Sequence, residues 1–514
     1  LPSEKPETTS KPTTSTYSNS PVHAMVLQAE PRAAMGLRRY IVGSVLALYL
    51  LLGIPLWFKL TEIYRAHLPA NFIHFLQSHP NADVQIHNTV YVSSIDNLYF
   101  PDLSEAVQVQ VDHELHRMNQ DPAERLVVDW NVTLINDKPP SEDDHVLILQ
   151  VGDGEGISIN EHKRETTLFY TLESVKNNDL PFFITQSLLY HIFDQELKSF
   201  QVKNQNIKSI NSIQYSPKVH LSFKLLTGDG FPVDWDIENA LEEYFQPTRQ
   251  FLQNYINFTI DSEVKYFTRL NLPKDDIIQT SDLSTLFDFS DWDVSSNQYS
   301  YPTLNFILYF PSKDQAPLTF AQEGSSFLIP QWGSILLKPT PIDEGTYISK
   351  DSLFSVFQVF TSELFFLLGL PSHPKTPQIR LDTLLKTTIL TNLNNGLDSL
   401  TSLLKLSNSL PNISIPKSVQ NNVKNSLNAR MSTIEQLQEK DFNSALLESN
   451  KVAKFAEEAF FDREIVQQAF FPQEHKIAVY LPLLGPLTVM LIFGSIRIIS
   501  EIKPYRRKEA ANAN

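Results

Sequence analysis

The chain of 514 residues contains no cysteine. Without a thiol there is no cysteine nucleophile, no Cys-ligated metal and no disulfide, within the chain or to a partner. Large domains in oxidising compartments usually carry disulfides, so this one has to be held by core packing alone. Its length suffices: roughly 400 residues between the terminal segments can bury a large core or divide into two units. Glycine is sparse, at 15 residues, and basic charge is in deficit. With 42 Lys and Arg against 58 Asp and Glu the net charge is −16, and because both terminal segments are net basic, the body between them is more acidic still. Such a surface repels nucleic acid and anionic lipid headgroups.

Two apolar runs, Ile41–Phe58 and Ile477–Ile496, contain no Asp, Glu, Lys or Arg. At roughly 18 to 20 residues each matches the ~30 Å of a bilayer's hydrocarbon as a helix. They predict transmembrane helices over 40–58 and 477–499. The expected order is a cytosolic disordered tail over 1–39, the first helix, a lumenal α/β domain over 59–349, a lumenal helical region over 350–476, the second helix and a basic cytosolic tail over 500–514. Orientation rests on the second run, where Arg497, Lys503, Arg506, Arg507 and Lys508 follow and only Arg463 and Lys476 precede. A cleaved signal peptide fits poorly, since Trp57-Phe58-Lys59 is no small-residue cleavage site. Residues 1–30 are rich in Ser, Thr and Pro and predict disorder; the start at Leu1 suggests an incomplete chain or added residues. Three sequons, at Asn131, Asn257 and Asn412, lie in the body and are its N-glycosylation candidates.

Along the body, alternation at Val84–Val92 predicts a strand, followed by a helix after Asp102 or Ser104. Strand-like runs at Val127–Ile135, Val146–Val151 and Thr167–Leu172 precede a helix over Pro181–Phe200. The pattern then repeats: strand Val219–Leu226, helix Asp234–Leu252, and strands near Phe258–Leu270, Thr303–Phe310 and Ser326–Leu337. This order predicts an α/β or α+β sandwich with a mixed sheet. From 350 onward strands give way to helices. Leu353–Leu368 is strongly apolar with a stop at Gly369; Leu393, Leu397, Leu400 and Leu404 form one stripe, Val419, Val423, Leu427, Met431, Ile434 and Leu437 another. A last helix, Asn443–Phe461, leads to the second apolar run.

The constellations that carry chemistry are incomplete. Asp112-His113-Glu114-Leu115-His116 lacks the His-Glu-x-x-His order of a zinc helix and reads as a solvated face. Gly152-Asp153-Gly154-Glu155-Gly156 carries two carboxylates that would repel a phosphate and reads as a tight turn. Acidic groups at Asp234-Trp235-Asp236 and Asp288–Asp293 lack the ligand spacing of a calcium loop, no Gly-x-Ser-x-Gly elbow occurs, and His191 reads as a core histidine. No catalytic, metal-binding or cofactor-binding residue is assigned.

Two stretches resemble a known family. Gly53-Ile-Pro55-Leu56-Trp57-Phe58-Lys59-Leu-Thr61-Glu62-Ile-Tyr64-Arg65-Ala66-His-Leu68-Pro69 looks like the first membrane exit of PIG-S, a subunit of the GPI transamidase complex, and Phe471-Pro472-Gln-Glu-His-Lys476-Ile-Ala478-Val-Tyr480-Leu-Pro482-Leu483 is similar to its second membrane approach. Phe327-Leu328-Ile329-Pro330-Gln-Trp332-Gly333 and Phe366-Leu367-Leu368-Gly369-Leu-Pro371 resemble two internal landmarks, so that the resemblance spans about 36–505. It implies a non-catalytic scaffolding subunit of the endoplasmic reticulum membrane, two-pass, with both termini cytosolic, no cofactor, and the cysteine chemistry on PIG-K. The implied partners are PIG-K, PIG-T, PIG-U, the GPI attachment-protein subunit and membrane lipids. Pro55, Pro482, Gly485 and Pro486 interrupt the apolar runs and are candidates for packing against partner helices. Trp332 reads as a buried cap on the sheet. The alternative is a free-standing membrane-anchored lumenal hydrolase or a glycan-binding receptor.

Overall fold

The computed structural model describes residues 32–53, 55–56, 59, 64–95, 102–135, 144–202, 213–272, 277–279, 286–287, 299–320, 325–410, 413–470, 482, 485–486 and 488–500. They fall into two units, one drawn from both chain ends, up to 63 and from 470, and one formed by Tyr64–Ala469.

The terminal unit corrects the expectation of two transmembrane helices and with it the two-pass topology. Among the described residues no helix is long and apolar enough to cross a membrane. Helix α1, Arg32–Leu48, is 17 residues long and carries Arg32, Arg38 and Arg39 in its N-terminal half, which leaves an uncharged stretch of only Tyr40–Leu48. It then loosens into a π-helical turn, Tyr49–Gly53, two residues before Pro55. At the other end the uninterrupted described helix covers 488–500, about 20 Å. Prolines within the second apolar run, Pro482 and Pro486, both lie before it.

In the larger unit the periodicities translate into two sheets. In chain order the first sheet's strands are β1 Gln85–Ser94, β2 Asp129–Ile135, β3 His145–Val151, β4 Gly156–Ile159 and β5 Glu165–Tyr170. They lie in the order β2-β1-β3-β5-β4. Neighbours are parallel except β4, which pairs antiparallel with β5. Later come β6 Lys218–Thr227, β7 Asp234–Trp235, β8 Asn257–Lys265, β9 Ile277–Ile278, β10 Thr303–Phe310, β11 Thr319–Phe320, β12 Ser326–Ile329, β13 Gly333–Leu337 and β14 Tyr347–Ile348. The second sheet has the order β12-β13-β10-β6-β8, again parallel but for the hairpin strand β12.

The two sheets therefore share one plan. An inner strand, β1 or β6, is followed by a helix, the edge strand beside it, a strand on its other side, and a hairpin whose second strand extends the sheet. In the first half the helix after β1 is α2, Leu103–Gln120, burying Val107, Val111, Leu115 and Met118; in the second its place is taken by Ile237–Leu252. Each hairpin is followed by another helical stretch. In the first half this is Leu180–Phe200, in which a π-helical turn at Leu188–Ile192 separates Leu180–Ser187 from α3, Asp194–Phe200. In the second it is α4, Lys350–Leu367.

The stop after α4 has a defined cause. Gly369 takes φ +79°, and the backbone N–H groups of Gly369 and Leu370 donate to the carbonyls of Phe366 and Phe365. That pair of bonds closes a helix through a left-handed residue. The single strand expected over Ser326–Leu337 is instead the hairpin β12–β13. It turns at Gln331, φ +61°, and Gly333, φ +146°, and a Cβ on Gly333 would lie 1.9 Å from the Asn305 carbonyl oxygen of β10.

Beyond α4 come α5 Pro377–Ser409, α6 Lys417–Gln438 and α7 Phe442–Phe460. The stripe Leu393, Leu397, Leu400 and Leu404 is buried, as the spacing requires. The second stripe drifts: Val419, Val423, Leu427 and Leu437 are buried, whereas Met431 is 63 % exposed and Arg430 takes the inward position. Gly396 of α5 lets α7 approach closely, since a Cβ there would sit 2.7 Å from Val452 Cγ1. One apolar cluster runs through both sheets, α4 and the upper part of α5.

Candidate interaction surfaces

The sequence placed its candidates in two classes, sequons and interrupted apolar runs, and the structure treats them unequally. Asn131 lies within edge strand β2, half-buried, and its side-chain oxygen already accepts from Gln108 Nε2 of α2 at 3.1 Å and from the Val132 N–H at 2.7 Å. Asn257 heads edge strand β8 and is exposed. Asn412 lies outside the described residues, as does Asp288–Asp293. Of the positions in the apolar runs, Pro55, Pro482 and Pro486 are exposed and Gly485 half-exposed. A Cβ on Gly485 would meet nothing within 4 Å. A Cβ on Gly494, by contrast, would lie 3.2 Å from Val42 Cγ1, a closeness that no spacing argument identified.

The Asp112–His116 segment is a solvated helix face apart from Leu115, with His113 and His116 exposed. Within the glycine-rich turn, Glu155 accepts from Ser174 Oγ. His191 is exposed on its π-helical turn rather than in the core, while Leu189 and Ile192 of the same turn are buried. Trp332 is half-buried and packs against the cluster beneath the second sheet. Among the described residues no group of three His, Asp or Glu side chains is placed to hold a metal.

Sequence reasoning missed a set of charged contacts, one of them a fully buried pair. Lys386 of α5 meets Glu196 of α3, whose carboxylate also accepts from Trp130 Nε1 at 2.7 Å and Asn88 Nδ2 at 3.0 Å. Around the ammonium lie the Phe442 and Phe193 rings, 5.0 and 6.0 Å away. Two further pairs tie the first sheet to the helices: Arg164 with Asp382 at 2.7 and 2.8 Å, and Arg430 with Asp83 at 2.6 Å. Two-pronged guanidinium–carboxylate bonds of this kind fix orientation as well as distance. On the second sheet His220 stands between Thr259 Oγ1 and Asp261, each at 2.9 Å, and joins β6 to edge strand β8. These contacts hold elements together; a single Lys, Asp or Glu in the sequence gives no sign of its distant partner.

One open cleft, of about 950 Å³, follows α4. One wall is α4 itself, the opposite wall the Tyr244 and Thr248 region, and Leu328 of β12 and Arg380 of α5 complete the lining. Glu363 enters from α4, with the Ser326 and Ser334 hydroxyls donating to its two oxygens. Burial raises the Glu363 pKa, against the opposing effect of those hydroxyls. Arg380 Nε donates to the Pro371 carbonyl and its guanidinium sits 5.9 Å from the Phe365 ring; burial lowers its pKa.

Comparison with known proteins gives this architecture a lineage. The chain is 38 % identical over 497 residues to the GPI transamidase component GPI17 of Saccharomyces cerevisiae, covering 90 % of this chain and 92 % of that one. It is 27 % identical over 494 residues to the GPI transamidase component PIG-S homolog of Schizosaccharomyces pombe, covering 92 % and 85 %. With the GPI-anchor transamidase component PIGS of Homo sapiens it shares 25 % identity over 529 residues, covering 90 % and 95 %. The family model described as phosphatidylinositol-glycan biosynthesis class S protein matches residues 44–505, both sheets and the helical region included, and the chain therefore belongs to the PIG-S family.

Proposed function

We propose that this chain is a non-catalytic subunit of the GPI transamidase complex, supporting the attachment of a GPI anchor to proteins by holding other subunits in place. The observation that carries this reading is similarity to transamidase components over about nine-tenths of the chain, in a sequence that contains no cysteine. The thiol chemistry then belongs to another chain, the protease-like PIG-K subunit, and PIG-T, PIG-U, the GPI attachment-protein subunit and membrane lipids complete the proposed surroundings. A rigid body suits that task. Ion pairs pin the first sheet to α5 and α6, and reactants held in fixed geometry need less entropy to be lost on the way to the transition state.

Depletion of the chain in cells, with a GPI-anchored reporter as readout, tests this. Attachment is expected to stop and to return with the full chain. Undiminished attachment after complete depletion would contradict the proposal.

A further inference from the structure

The row of α4 that faces the cleft is unusual for this protein. Phe354 and Phe366 are 48 % and 51 % exposed and lie twelve positions apart on one helix, about 18 Å. Between them stand Gln358, Thr361 and Ser362. Several hydroxyl residues elsewhere inside helices bond back to their own backbone, as Thr383, Thr387, Thr391 and Thr433 do. Among the described residues Gln358, Thr361, Ser362 and Thr248 across the cleft make no side-chain hydrogen bond. At the Phe366 end Arg380 uses Nε on a backbone carbonyl, and among the described residues no carboxylate pairs with it. In a chain of net charge −16, a half-buried guanidinium without a carboxylate beside exposed aromatic rings is a complement for an acidic, apolar partner.

We propose that the cleft along α4 docks an amphipathic peptide segment of another subunit, with apolar side chains on Phe354 and Phe366 and an Asp or Glu on Arg380. This rests on the reading of the chain as a complex subunit. A peptide suits the lining better than an acyl chain does. The amide and hydroxyls at mid-cleft pair with peptide backbone, whereas a hydrocarbon would cover them without replacing their water. Aromatic anchors flanking a charge-assisted Arg–carboxylate pair are the usual energetic centre of such interfaces.

The test uses the full chain in intact membranes, with the photocrosslinker benzoylphenylalanine at position 354. After irradiation and purification, mass spectrometry identifies what is attached. The expected product is a peptide of another transamidase subunit carrying Asp or Glu among apolar residues. Its yield should fall about tenfold in Arg380→Glu and in Phe366→Ser, while the other subunits still co-purify. Phe366→Ser alters an exposed position and guards against loss of folding. Attachment to lipid or to a second copy of this chain, or no adduct in an otherwise intact complex, would overturn the docking site alone. Recovery of the chain without other subunits would overturn both this inference and the subunit reading.

Discussion

Lys386 Nζ lies 2.9 Å from Glu196 Oε2, and the two side chains are only 4 % and 2 % exposed. One partner comes from the helical region and the other from the helix that follows the first hairpin, so this pair joins segments 190 residues apart. Removing one charge leaves the other buried and unpaired, at a cost of about 3–5 kcal/mol. Lys386→Ala should therefore lower the stability of the full chain by that order in urea unfolding. The double variant Lys386→Met, Glu196→Gln should recover most of the loss.

His145 gives the fold an acid sensitivity. Burial, and then the Arg164 and Lys386 cations, push its pKa from 6.5 down to about 4. Between those values the unfolded chain binds the proton and the folded chain does not, so stability is full above about pH 6.5 and declines as pH falls towards 4. Unfolding free energies at pH 7 and pH 5 should differ by about 2 kcal/mol from this residue. In His145→Gln that part of the difference should vanish.

Gly333 is held by both dihedral and contact. At φ +146°, with the Asn305 carbonyl where a Cβ would lie, Gly333→Ala should cost several kcal/mol, on the order of 3 or more, by forcing β13 away from β10. Gly345, at φ +73° with open space around it, supplies the control. There alanine should cost about 1–2 kcal/mol, the steric cost of a left-handed L-residue. Thermal unfolding of the two variants distinguishes them.

Glycosylation should follow exposure. Asn257 stands free at the head of an edge strand, whereas Asn131 is engaged by Gln108 and its own strand. Asn257→Gln should remove one glycosidase-sensitive step in gel mobility, and Asn131→Gln none. Occupancy at Asn131 would contradict the ordering.

Much of the body between the terminal segments could be read from periodicity. Thr303–Phe310 appears as β10 with the expected bounds, the stripes on α5 and α6 mostly face inward, and the repeated order of strands and helices reappears as two sheets of one plan. What escaped has physical reasons. A hairpin within an apolar run, β12–β13, turns through a left-handed Gln331, and the Pro330 and Gly333 that bracket the turn were read as lying within one strand. The inward turn of Arg430 in place of Met431 depends on Asp83, far away in the chain. Apolar length alone suggested two membrane helices, and it does not register the π-helical turn at Tyr49–Gly53 or the prolines of the second run. Family membership was legible from four short motifs, whereas the Arg380 cleft was not, because its walls come from α4, the Tyr244 region and α5.

Purification of the full chain under native conditions, with every co-purifying protein quantified, tests the central claim most directly. The account predicts the protease-like subunit and the remaining transamidase subunits in fixed proportion to this chain, with cleavage-and-transfer activity that disappears when the thiol of the protease-like subunit is blocked. A chain recovered alone, or one that retains transamidase activity after thiol blockade, would contradict it.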